Sequence, residues 1–85
     1  MSVVVVYKED SEHARVVEDF MRDFRMQTGK TIDVLNPDSR EGASFCRTYD
    51  IVQYPTMIAL SDNTQMLSMW PGAPLPTISE VSYYV

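Results

Sequence analysis

Val3-Val4-Val5-Val6-Tyr7 is the segment that most narrows the choice of folds. Four β-branched side chains in succession suit a pleated strand, and five residues are too few for a lone helix. No polar residue alternates with them, so the strand needs cover on both faces. A chain of 85 residues can build only one modest core, enclosing roughly 60–65 % of its extended surface. Helices packed on a small sheet meet both conditions.

Lys8-Glu9-Asp10-Ser11 closes this strand with polar residues, and Asp10 or Ser11 can cap a following helix. Val16, Val17, Phe20 and Phe24, with Met21 and Met26 alongside, recur at spacings of three and four. Glu18, Asp19, Arg22, Asp23 and Arg25 take the other face. The pattern predicts an amphipathic helix of about four turns that stops near Gly29. Thr31 to Leu35 reads as a second short strand. Asn36-Pro37 breaks it, and Asp38 or Ser39 caps a helix bearing Ala43, Phe45, Cys46 and Tyr49 on its apolar side. Gly42 costs that helix about 1 kcal/mol relative to alanine, which predicts a short or irregular element.

Met57 to Leu60 and Gln65 to Trp70 flank the polar Ser61-Asp62-Asn63-Thr64 as an antiparallel hairpin. Pro71 to Pro76 is a rigid connection, and Thr77 with Glu80 has capping-box spacing ahead of Ile78, Val81 and Tyr84. The expected fold class is α/β in the order β-α-β-α-β-β-α. A four-stranded mixed sheet is flanked by three helices, and residues 1–85 form a single domain.

Charge and thiol count restrict function. Seven lysines and arginines against twelve acidic residues leave a formal net charge of −5, spread along the chain. Nucleic acid and anionic membranes, which bind cationic patches, are not expected partners. No apolar run reaches the ~20 residues of a membrane span, and the start carries no basic leader or cleavage site, so a cytoplasmic protein is expected. One cysteine, Cys46, and one histidine, His13, cannot form an internal disulfide or a zinc site, and no metal is expected. Glu9, Asp10 and Glu12 offer carboxylates near a helix start but no further ligands for a cation. No cofactor is expected either.

Tyr49-Asp50-Ile51-Val52-Gln53-Tyr54-Pro55-Thr56, taken with the element order, resembles the thioredoxin and glutaredoxin families. Their Tyr-Gly-Ile/Val-x-x-x-Pro-Thr stretch leads from the second helix into the third strand, and its proline is cis. The resemblance implies that Pro55 is that residue, that Thr56 matches the threonine after it, and that Gly72-Ala73 borders the substrate groove. Asp50 stands where the families have glycine. The likeness runs over nearly the whole chain, at glutaredoxin rather than thioredoxin length. A shorter likeness, Ile32-Asp33-Val34-Leu35 before Asn36-Pro37, is to the circadian-clock KaiB family of thioredoxin-like binding proteins.

Redox members of the family carry Cys-x-x-Cys, or its first Cys, at the start of the first helix, where the helix dipole favours thiolate. Aligned on that pattern, Ser11 takes the attacking position and Ala14 the resolving one, so Ser11-Glu12-His13-Ala14 is a degenerate active site. A hydroxyl forms no mixed disulfide. Ser11 with His13 as nucleophile and base lacks an orienting partner, and a cap beside an exposed histidine is the plainer reading. Cys46 falls where the fold buries a small apolar residue and is expected to be an inert free thiol.

These observations lead to a non-catalytic thioredoxin-like protein that binds a protein or peptide in a groove formed by Tyr54, Pro55, Thr56, Trp70 and Gly72. The alternative is a degenerate glutaredoxin-like protein that binds glutathione or uses Cys46 as a monothiol. Ala73-Pro74-Leu75-Pro76 lacks the acidic pair that would hold glutathione's amino end. A monomer or weak dimer is expected.

Overall fold

The computed structural model describes residues 1–85. Strand β1 (Ser2–Val6) leads to helix α1 (Ala14–Thr28), strand β2 (Asp33–Leu35), helix α2 (Arg40–Tyr49), strands β3 (Thr56–Leu60) and β4 (Met66–Pro71), and helix α3 (Ile78–Ser82). This is the expected order. The sheet runs β2-β1-β3-β4, with β1 parallel to β2 and antiparallel to β3, and β3 antiparallel to β4.

Alternation along the two inner strands divides the core. Val3, Val5, Tyr7, Met57 and Ala59 point to one side, where they pack with Val17 and Phe24 of α1 and Val81 of α3. Val4, Val6, Ile58 and Leu60 point to the other, against Cys46 of α2 and Ile51. A strand covered on both faces has no solvent side, which accounts for the valine run.

Helix α1 departs from expectation at its start and on one face. Its first residue is Ala14, and neither Asp10 nor Ser11 caps it; His13 takes the cap position and makes no side-chain cap bond. Ser11 instead donates its hydroxyl to the Lys8 carbonyl, closing a turn ahead of the helix. Val16 and Met26 are exposed, so the buried stripe narrows to Ala14, Val17 and Phe24, with Phe20 and Met21 half-buried. The helix ends where glycine permits: Gly29 takes φ 72° and its N–H reaches the Arg25 carbonyl.

Ser39 is the cap of α2, accepting from the Gly42 N–H at 2.9 Å, while Asp38 is drawn to Lys8. Of the short or irregular element expected from Gly42, the structure shows the short form, a regular helix of ten residues. The reason lies outside the helix. A Cβ at position 42 would meet the Asn36 carbonyl oxygen at 1.8 Å, so glycine lets the Asn36–Pro37 turn lie directly on α2. At the other end Asp50 adopts φ 56° and its N–H bonds the Cys46 carbonyl, filling a left-handed cap that glycine more often holds. The capping box of α3 forms as expected.

Two substitutions in this helix should act with opposite signs. Gly42→Ala, favourable by helix propensity alone, should destabilise the fold by about 1–3 kcal/mol, the usual cost of forcing atoms into filled space. Asp50→Gly should stabilise it by about 0.5–1 kcal/mol by relieving the left-handed backbone. Urea denaturation of both variants checks the pair; a stabilised Gly42→Ala would mean that the Asn36 turn gives way freely.

Candidate functional site

The register Val6↔Thr56 brings the segment after β1 beside the segment before β3. Residues 8–13 and 52–56 therefore meet at one end of the two inner strands, and Lys8 joins them. Its backbone carbonyl accepts from the Ser11 hydroxyl at 2.5 Å and from the Ser11 N–H at 3.2 Å. Its backbone N–H donates to His13 Nε2 at 3.3 Å. Its ammonium lies 5.5 Å from the Tyr54 ring centroid and 3.7 Å from Asp38 Oδ1. A cation over a tyrosine face is attractive, by about 0.5–1 kcal/mol at an exposed site.

This arrangement settles what Ser11 and His13 do locally. Both are spent on the backbone of Lys8, and neither is hydrogen-bonded to the other. A serine nucleophile requires a base within bonding reach, and here the hydroxyl proton is directed to a carbonyl. Glu12 is exposed and Ala14 is buried under the first turn of α1.

Pro55, Thr56 and Gly72 lie together as a floor. All three are buried, and the Gly72 N–H donates to the Pro55 carbonyl at 2.8 Å. The Tyr54–Pro55 peptide is cis, and so is Ala73–Pro74. Thr56 donates its hydroxyl to the Gln53 carbonyl at 2.7 Å, which satisfies the one fully buried polar side chain. Gly72 adopts φ 71°, and a Cβ there would meet Gln53 Oε1 at 2.7 Å, so the Gln53 side chain lies across it.

The accessible rim consists of residues that sequence reasoning passed over. Gln53 is exposed, and Val52 is 79 % exposed, the highest value among the large apolar residues. Only their place two and three residues before the proline could have singled them out.

Trp70 is not part of this groove. It lies opposite Met57 in the β3–β4 register and shares that residue's side of the sheet. There it packs edge-on to Tyr84, at 5.6 Å between ring centroids. Tyr54 packs on the other side, against the cluster that contains Cys46.

Cys46 is 8 % exposed and unpaired. It contributes to the wall of a cleft of about 310 Å³ that it shares with Pro37, Ile51, Val52 and Tyr54. Burial pushes its thiol pKa up, and the neighbouring Tyr54 hydroxyl pulls back by less. Burial likewise raises Tyr54, with Cys46 adding to the shift. Tyr7 is raised by burial and then by Glu18, whose carboxylate accepts its hydroxyl at 3.2 Å. All three acids hold their protons more tightly in the folded chain than in the unfolded one. Their contribution to stability is complete while the unfolded groups remain protonated, and it is lost as pH rises above about 9.

Cys46 should therefore react slowly with a thiol reagent at neutral pH and rapidly once the chain is denatured. Equal rates in the two states would show an accessible thiolate. Thermal melts should fall progressively between about pH 9 and 11 and less steeply in Cys46→Ala; a flat profile would contradict the assignment.

No protein-family profile and no curated protein sequence matches the chain. Solved structures do. Thioredoxin 1 from Thermosipho africanus TCF52B superposes with a TM-score of 0.67 at 17 % identity, over 99 % of this chain and 89 % of that one. A malarial protein gives 0.65 at 19 % identity, over 99 % and 93 %. Thioredoxin-2, a component of the malaria parasite protein secretion machinery, gives 0.65 at 20 % identity, over 96 % and 80 %. Identities this low speak for architecture and not for activity. In fold, the chain is thioredoxin-like.

Proposed function

We propose that this chain is a thioredoxin-fold binding module that takes an extended protein or peptide segment along the Val52–Thr56 turn and carries out no disulfide exchange. The observation that carries the reading is the fate of the two reactive positions. Ser11 stands where the attacking thiol belongs, with its hydroxyl donated to the Lys8 carbonyl, and the only thiol is buried in the cluster against which Tyr54 packs. Disulfide exchange needs an accessible thiolate, and neither group supplies one.

Binding draws support from the rim. Val52 holds an apolar side chain in solvent beside the cleft next to Tyr54. An apolar residue beside a half-buried aromatic is the kind of anchor on which small interfaces depend. Lys8, Asp38, Arg47 and Asp50 around it give mixed charge, which suits a polar peptide backbone better than a polyanion.

The test is capture of partners from the source cell on immobilised protein, followed by titration calorimetry with each isolated partner. Val52→Glu and Pro55→Ala should each weaken binding roughly tenfold or more, as loss of one anchor does. Trp70→Phe, on the other sheet face, should leave it unchanged. Binding that survives both changes would refute the groove, and saturable glutathione binding would favour the degenerate glutaredoxin.

A further inference from the structure

On the sheet face away from Tyr54, β4 and the end of α3 border a shallow, open cleft of about 280 Å³, lined by Ser68, Trp70, Glu80, Tyr83 and Tyr84. Three of its five walls are aromatic and none is basic. The rings stand at steep angles: Trp70 to Tyr84 at 69° with centroids 5.6 Å apart, and Tyr83 to Tyr84 at 82° and 5.0 Å. In such edge-to-face pairs the rim of one ring meets the face of the other, and any face left toward the cleft carries the negative side of the ring quadrupole.

Tyr83 is 76 % exposed at the end of α3, and its ring packs edge-on to Tyr84. Glu80 supplies a full negative charge. Its capping bonds from the Thr77 N–H and hydroxyl both fall on Oε1, leaving Oε2 without a protein donor. Those same bonds hold its carboxyl below the ordinary range, so it is ionised at neutral pH.

We propose that this cleft binds an alkylated ammonium group, such as trimethylammonium, against the aromatic side chains of Trp70, Tyr83 and Tyr84 that line it, with Glu80 as counter-charge. A weakly hydrated cation gains from aromatic faces without stripping a tight water shell, whereas an anion would meet Glu80 and the ring faces together. The net charge of −5 favours approach of a cation. The cleft volume admits a trimethylammonium head with room for its stem. The head could belong to a free small molecule such as choline or to a methylated lysine side chain of a protein.

Trp70 is the chain's only tryptophan, so its emission reports the cleft directly. The test is titration of the intact protein with choline, with a short peptide carrying trimethyllysine, and with 3,3-dimethylbutan-1-ol, which has choline's shape without its charge. Choline and the peptide should each saturate a change in Trp70 emission, and the neutral alcohol should bind at least about threefold more weakly. The tighter of the two cations identifies the source. Tyr83→Ala should weaken both about three- to tenfold with an unchanged melting temperature, and Tyr83→Phe should restore binding. Glu80→Gln keeps a side chain able to complete the capping box and should also weaken both. The proposal is overturned if the alcohol matches choline, if neither cation saturates in the millimolar range, or if Tyr83→Ala and Glu80→Gln bind like the parent.

Discussion

Burial of the β1–β3 pair on both faces is the constraint on which the rest depends. Val3 to Tyr7 and Thr56 to Leu60 are buried without a break, so neither strand has a solvent face to spare. Side chains alternate, and each face needs its own helical cover: α1 and α3 on one, α2 on the other. Pairing Val6 with Thr56 then decides which connections become neighbours. The 8–13 turn and the 52–56 turn meet because the two strands they serve are locked in register, and not through any affinity of their own.

At that meeting point one residue sets the chemistry. Lys8 offers its carbonyl to Ser11, its N–H to His13 and its ammonium to Tyr54 and Asp38. The Ser11 hydroxyl and His13 Nε2, which a catalytic site would leave poised, are here bonded to the Lys8 backbone within the 8–13 turn, and the Lys8 ammonium over Tyr54 links that turn to the next. That arrangement supports the binding reading proposed above. The lone thiol is consistent with it: Cys46 is packed as a small apolar residue, and burial keeps its proton on.

Much of this was legible in the residues. The valine run, the Ser39 cap, the Thr77–Glu80 capping box and the Gly29 stop each carry a local physical reason, and each forms. What was not legible depended on partners distant in sequence or on register. Gly42 reads as a helix flaw until the Asn36 carbonyl is seen against it. Trp70 reads as a neighbour of Tyr54 until its pairing with Met57 assigns it to the opposite face. Ser11 reads as a cap because its residue type suits one, yet the nearer Lys8 carbonyl takes its hydroxyl and α1 begins at Ala14. The exposed rim of Val52 and Gln53 carries no motif, since exposure is a property of the assembled fold.

A thioredoxin fold with its reactive positions occupied in this way should have lost exchange chemistry and kept a surface. Insulin reduction by dithiothreitol, followed as turbidity with and without the protein, tests that most directly. No acceleration over dithiothreitol alone is the result this account requires. Acceleration that disappears in Cys46→Ser would contradict it, by showing that the buried thiol reaches a disulfide after all.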